Sequence, residues 1–85
     1  MQPLPARTYQ RGRYLGGRQG AEHRLLGVGL EGAALRRMAE LAWRFEPHGL
    51  SDSRYRRQVF ERGYEEGYRA ATRAGLSLPA AIAPS

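Results

Sequence analysis

The chain has 85 residues, a formal charge of +6 and no cysteine. A chain this short forms one domain at most and buries only about 60–65% of its unfolded surface, and neither disulfides nor thiolate metal ligands can brace its thin core. No apolar run reaches the roughly 18 residues needed to cross a bilayer, and the first residues lack a signal peptide's apolar stretch, so a cytoplasmic protein with no membrane partner is expected.

All fourteen basic residues are arginine. Arginine grips phosphate or carboxylate with a rigid fork and stacks on rings, which suits nucleic acid or an acidic protein surface. A GC-rich coding sequence would give the same bias without a function. The excess lies at the two ends: residues 1–30 hold five arginines against Glu22 alone, 31–50 balance, and 51–85 hold six against four acids.

Residues 1–29 form a basic, Gly/Arg-rich segment. Thr8 to Leu15 and Arg24 to Leu30 fit two short strands around Gly16-Gly17, a flexible arm, or a glycine-interrupted helix; an irregular or flexible segment is expected. Tyr9, Arg11, Arg13 and Tyr14 interleave rings with guanidinium groups, as single-strand and RNA-binding surfaces do. Gly27-Val28-Gly29-Leu30-Glu31-Gly32 has the glycine spacing of a dinucleotide-binding turn. That fold needs a parallel strand after the next helix, and here the helix runs into Pro47 and then a second helix, so the glycines read as a lead-in and no cofactor is expected.

The first clear helix spans about residues 30–46. Leu30, Ala34, Leu35, Met38, Leu41, Ala42 and Phe45 share one stripe at steps of three and four, and Pro47-His48-Gly49 ends it. Trp43 falls off this stripe, beside Arg36 and Glu40, and needs a cover. Either the N-terminal segment packs on it or it anchors a partner.

A second helix spans about 52–74, with Ser51 or Ser53 as its cap and Tyr55, Val59, Phe60, Tyr64, Tyr68 and Ala71 on its apolar face. Arg57 with Glu61, Arg62 with Glu66, and Glu65 with Arg69 sit four apart on the other face, each pair worth a few tenths of a kcal/mol. A second Arg/Tyr cluster, Arg54, Tyr55, Arg56 and Arg57, opens this helix. Cations there oppose the macrodipole by about 0.3–1 kcal/mol, so stability alone would not select them, and with Asp52 offsetting part of that cost they make an attractive anion site.

Gly63 and Gly67 in mid-helix cost about 1 kcal/mol each relative to alanine. Gly63, Gly67, Ala71 and Ala74 form a ridge of small residues that lets a second backbone come close, within the chain or across a dimer, beside Phe60, Tyr64 and Tyr68. A weak echo gives the glycines a role: Tyr9-Gln10-Arg11-Gly12 followed by Gly16 and Arg18 matches Phe60-Glu61-Arg62-Gly63 followed by Gly67 and Arg69. The stretch Arg62-Gly63-Tyr64-Glu65-Glu66-Gly67 also resembles the arginine-glycine-tyrosine opening of ribosome modulation factor, a small basic helical family that binds ribosomes. The resemblance is confined to these residues and implies an RNA partner without assigning any residue a role.

The short link between the helices implies an antiparallel pair. The expected fold is all-α: an antiparallel αα-hairpin (about 30–46 and 52–74) with an irregular or flexible N-terminal segment (1–29) and a disordered C-terminal tail (76–85). His23 and His48 cannot build a typical metal site without cysteine, and Ser51 and Asp52 beside His48 read as capping groups, so no enzyme, metal, cofactor or small-molecule substrate is expected. The leading expectation is a non-catalytic binder of RNA, ahead of DNA, or of a ribonucleoprotein, through Arg11, Arg13, Tyr14, Arg54, Tyr55, Arg56 and Arg57. The alternative is a protein-interaction module, an adaptor, inhibitor or homodimer, using Trp43, Phe60, Gly63, Tyr64, Gly67 and Tyr68.

Overall fold

The computed structural model describes the backbone of residues 4–47 and 54–82 and the side chains of residues 6–47 and 54–73. The described residues are all-helical: α1 (Leu4–Leu26), α2 (Gly32–Phe45) and α3 (Arg54–Ile82).

Helix α1 corrects the expectation of an irregular N-terminal segment. Its buried positions are Thr8, Gly12, Gly16 and Gly20, one residue in four. A Cβ added at Gly12, Gly16 or Gly20 would lie under 3.0 Å from the carbonyl oxygen of Phe60, Tyr64 or Tyr68 on α3. In return, a Cβ on Gly63 or Gly67 would run into the carbonyl oxygen of Tyr9 or Arg13 on α1. The two backbones touch, and the close approach offsets the helix-propensity cost of the glycines. Because positions 12, 16 and 20 meet 60, 64 and 68 in the same order, α1 and α3 run parallel.

The sequence echo has a physical basis in this seam. An offset of 51 residues carries Gly12 against Phe60 into Tyr9 against Gly63, with the partners exchanged, and carries Gly16 against Tyr64 into Arg13 against Gly67. Each half therefore presents the other with the same ridge, in an approximate two-fold arrangement. Of the ridge foreseen on the second helix, Gly63, Gly67 and Ala71 are met from within the chain, by α1, and the side chain of Ala74 lies outside the described residues.

Gly27 ends α1 with φ +72°. Its N–H donates to the Arg24 carbonyl (3.1 Å) and the Val28 N–H to the His23 carbonyl (2.8 Å), a Schellman cap. The dinucleotide-like glycines thus follow a helix rather than a strand, and Gly32, φ +57°, opens α2.

Helix α2 returns antiparallel to α3, as the short link implies. Leu35, Ala39 and Trp43 pack with Phe60, Tyr64 and Tyr68, each set at steps of four, and the Trp43 and Phe60 ring centroids are 5.3 Å apart. The buried face is turned by one residue from the stripe read in the sequence: Trp43 is 6% exposed, whereas Phe45 is 83% and Leu41 39% exposed. A row of side chains every fourth residue on α3 is matched by a row of the same spacing on α2.

One polar network ties the elements together. The Tyr68 hydroxyl accepts from the Leu30 N–H at 2.9 Å and bonds His23 Nδ1 at 2.6 Å, while Gln19 meets His23 Nε2 at 2.8 Å. The Gln19 amide nitrogen donates to Nε2, so His23 carries its proton on Nδ1 and donates it to the Tyr68 hydroxyl.

Helix α3 begins at Arg54, and the capping residues Ser51 and Ser53 lie outside the described residues. It runs through Ile82 rather than stopping near Gly75, so residues 76–82 are helical instead of a tail, and 83–85 lie outside the described residues. The three foreseen ion pairs form: Arg57–Glu61 at 3.6 Å, Arg62–Glu66 at 3.0 Å and Arg69–Glu65 at 3.2 Å.

Candidate nucleic-acid interface

The parallel seam places the N-termini of α1 and α3 at one end of the bundle, where α2 also ends. Neither N-terminal turn contains an acidic residue. A depression at this end is lined on α1 by Arg7, Thr8 and Arg11, and elsewhere by Trp43, Glu46 and Arg56. The two arginine clusters, far apart in sequence, thus contribute Arg11 and Arg56 to one concavity.

Arg11 and Glu46 form a bidentate pair across this end. Nε donates to Oε2 at 2.6 Å and Nη2 to Oε1 at 3.3 Å. The hydrogen bond to Glu46 raises the Arg11 pKa further above its already high value. Among the described residues the depression is lined by the Glu46 carboxylate and by the guanidinium groups of Arg7, Arg11 and Arg56.

From this end a row runs along the outer face of α1. Arg7, Arg11, Tyr14 and Arg18 stand at helical positions i, i+4, i+7 and i+11, spanning about 17 Å at 1.5 Å per residue. Tyr14 is 55% exposed, and the guanidinium carbons of Arg11 and Arg18 each lie 5.9 Å from its ring centroid. Arg11 and Arg18 also edge a groove between α1 and α2 that holds Leu15, Phe45 and Tyr64. Arg7 and Arg18 were not among the contact residues read from the sequence, because their alignment with Arg11 and Tyr14 exists only when residues 4–26 are helical.

The other foreseen contact residues are dispersed. Arg13 turns toward the seam, where its Nη1 donates to the Tyr9 hydroxyl at 3.4 Å and lies 4.0 Å from Glu66. The Tyr9 hydroxyl donates to Glu66; that bond and the one from Arg62 hold the Glu66 carboxyl below the usual carboxylate range. Arg57 is paired with Glu61, whose pKa burial pushes up and Arg57 pulls partly back. Arg54 and Tyr55 are exposed at the start of α3, and Asp52 lies outside the described residues.

The residues named for a protein interface sit in the core. Phe60, Tyr64 and Tyr68 are 1–3% exposed, Gly63 and Gly67 face α1, and Trp43 lies between α3 and the first turns of α1. Burial pushes the Tyr64 phenol pKa up. His23 serves the Tyr68 network, and His48 lies outside the described residues. Among the described residues no cluster of three or more His, Asp or Glu is placed to hold a metal, and no helix is long and apolar enough to cross a membrane. No family pattern, characterised protein or solved structure shows a significant match to the chain.

Proposed function

We propose that the protein is a non-catalytic, cytoplasmic binder of single-stranded nucleic acid, RNA ahead of DNA, and that the Arg7–Arg11–Tyr14–Arg18 row of α1 is its contact surface. The observation that carries this reading is Tyr14, a half-exposed ring flanked by two guanidinium groups on a face that continues to Arg7. A ring presented between cations stacks an unpaired base while the arginines meet the flanking phosphates, which favours a single strand over a duplex. The preference for RNA rests on the short resemblance to ribosome modulation factor.

Fluorescence anisotropy with a labelled oligonucleotide of about ten residues tests it. Each phosphate contact on a single strand contributes roughly −0.7 to the slope of log K against log salt, so Arg18→Gln lowers the slope magnitude by about that amount. Tyr14→Ala weakens binding by about 1–3 kcal/mol, the contribution of one stacked base. Affinity that is unchanged between low and moderate salt refutes the proposal.

A protein partner is the second reading, favoured by Phe45 and Leu41 on the outer side of α2 and by the exposed Leu25 and Leu26. Light scattering that shows a salt-resistant oligomer, dispersed by Phe45→Ser, would support it.

A further inference from the structure

We propose that the groove between α1 and α2 seats one base of the bound strand and selects guanine through Glu22; this rests on the nucleic-acid reading above. The groove, about 340 Å³, adjoins the α1 row, because Arg11 and Arg18 both flank the Tyr14 ring and edge the groove. Small-ligand sites begin at about 300 Å³, so the space suits a group the size of a base. Leu15 and Ala42, both half-buried, give it an apolar lining, and the Phe45 ring, 83% exposed, lines it as well. A strand with one base stacked on Tyr14 thus has a second ring for a neighbouring base.

The polar groups along the groove discriminate among bases. Glu22 continues the α1 face one turn beyond Arg18, yet the two form no ion pair, and neither has another ion-pair partner among the described residues. Arg11 holds the other carboxylate of the groove, Glu46, bidentately. An unpaired acid beside a phosphate-binding row repels the strand unless a base donates to it. Gln19 donates its amide N–H to His23, which leaves its oxygen as a further acceptor. Guanine alone among the four bases carries two adjacent donors on its Watson–Crick edge, N1–H and the 2-amino group, and one carboxylate accepts both. Its O6 and N7 acceptors suit the Arg18 fork. Adenine and cytosine place a ring acceptor beside their single amino group, and uracil flanks its one N–H with two carbonyl oxygens, so each sets an acceptor against the second carboxylate oxygen.

The test uses labelled oligouridylates of about five residues, near the lower limit of single-strand site sizes, with guanine, adenine or inosine at the centre, and reads binding by anisotropy at one salt concentration. The guanine strand is expected to bind about tenfold more tightly than the adenine strand, within the range that one bidentate base contact supplies. Inosine, which keeps N1–H, O6 and N7 but lacks the 2-amino group, is expected to fall between them. Glu22→Gln is expected to remove most of the guanine preference without weakening the adenine strand, whose retained binding shows that the variant folds. Tyr14→Ala weakens all three strands by the same factor. Equal affinity of the parent for the guanine and adenine strands, or a guanine preference that survives Glu22→Gln, overturns the inference and leaves the nucleic-acid reading standing; no binding of any strand overturns both.

Discussion

The seam between α1 and α3 makes neighbouring glycines respond with opposite signs to the same substitution. At Gly16 an added Cβ would meet the Tyr64 backbone, with the carbonyl carbon at 2.7 Å and Cα at 2.9 Å, against ordinary contacts of 3.4–4 Å. The Tyr64 carbonyl oxygen lies closer still, and backbone cannot rotate aside as a side chain can, so the helices must part by about 1 Å or more, a gap that forfeits about half of each dispersion contact along the seam. Overpacking of this kind costs about 1–3 kcal/mol or more, and alanine returns about 1 kcal/mol in helix propensity. Gly16→Ala is therefore expected to destabilise by about 2 kcal/mol, or some 10 °C in Tm for a chain whose total stability is about 4–13 kcal/mol. At Gly17 the nearest atom to an added Cβ is 3.8 Å away, so Gly17→Ala keeps the propensity gain and stabilises by about 0.5–1 kcal/mol. Urea and thermal unfolding followed by circular dichroism read both variants. Gly67→Ala should match Gly16→Ala in sign, because the two positions are equivalent across the seam. Stabilisation by all three substitutions would refute the backbone contact and the parallel arrangement with it.

The face of α2 is tested by Trp43→Ala and Phe45→Ala: the first is expected to cost about 3–5 kcal/mol and the second less than about 0.5 kcal/mol in urea unfolding, with the reverse order expected if the stripe read from the sequence were the buried one. Tyr68→Phe leaves the Leu30 N–H and His23 without their shared partner, which costs about 1–3 kcal/mol in the same assay. The pH dependence of stability separates two carboxylates. Glu66 has a folded pKa below its unfolded value, so its stabilisation is present above the ordinary carboxylate range of about 4.3 and is lost as pH falls through the folded value; Glu66→Gln should lower Tm at pH 7 and leave it unchanged near pH 2. Glu61 is shifted upward, so its contribution is full below the unfolded value and lost as pH rises through the folded one. Glu61→Gln should raise Tm at pH 7 and have no effect at low pH.

Helices α2 and α3 were legible in the sequence because their buried faces are built of side chains that recur at helical spacing. Helix α1 was not, because its buried face is Thr8, Gly12, Gly16 and Gly20, and a periodicity of apolar residues cannot register a surface made by leaving side chains out. The 51-residue echo was the signal that could have revealed it, since Gly12 and Gly16 repeat Gly63 and Gly67 in the same aromatic and arginine setting. Trp43 was misplaced for a related reason: α2 is apolar on two adjacent stripes, and only the spacing of Phe60, Tyr64 and Tyr68 decides which is covered. The arginine clusters were visible as composition. That Arg11 and Arg56 line one depression, that Arg7 and Arg18 extend the row, and that Arg13 belongs to the seam all depend on the direction of α1, which no local pattern encodes.

The glycine seam also orders the assembly of the chain. α2 and α3 are joined by a short link and can pair early, whereas α1 meets its partners across about fifty residues and must wait for them. With Gly12, Gly16, Gly17 and Gly20 in its middle it is a poor helix by itself and becomes helical by docking on α3. Once docked, α1 shares with α3 a more extensive interface than α2 does, so its seam amides are expected to exchange no sooner than those of α2.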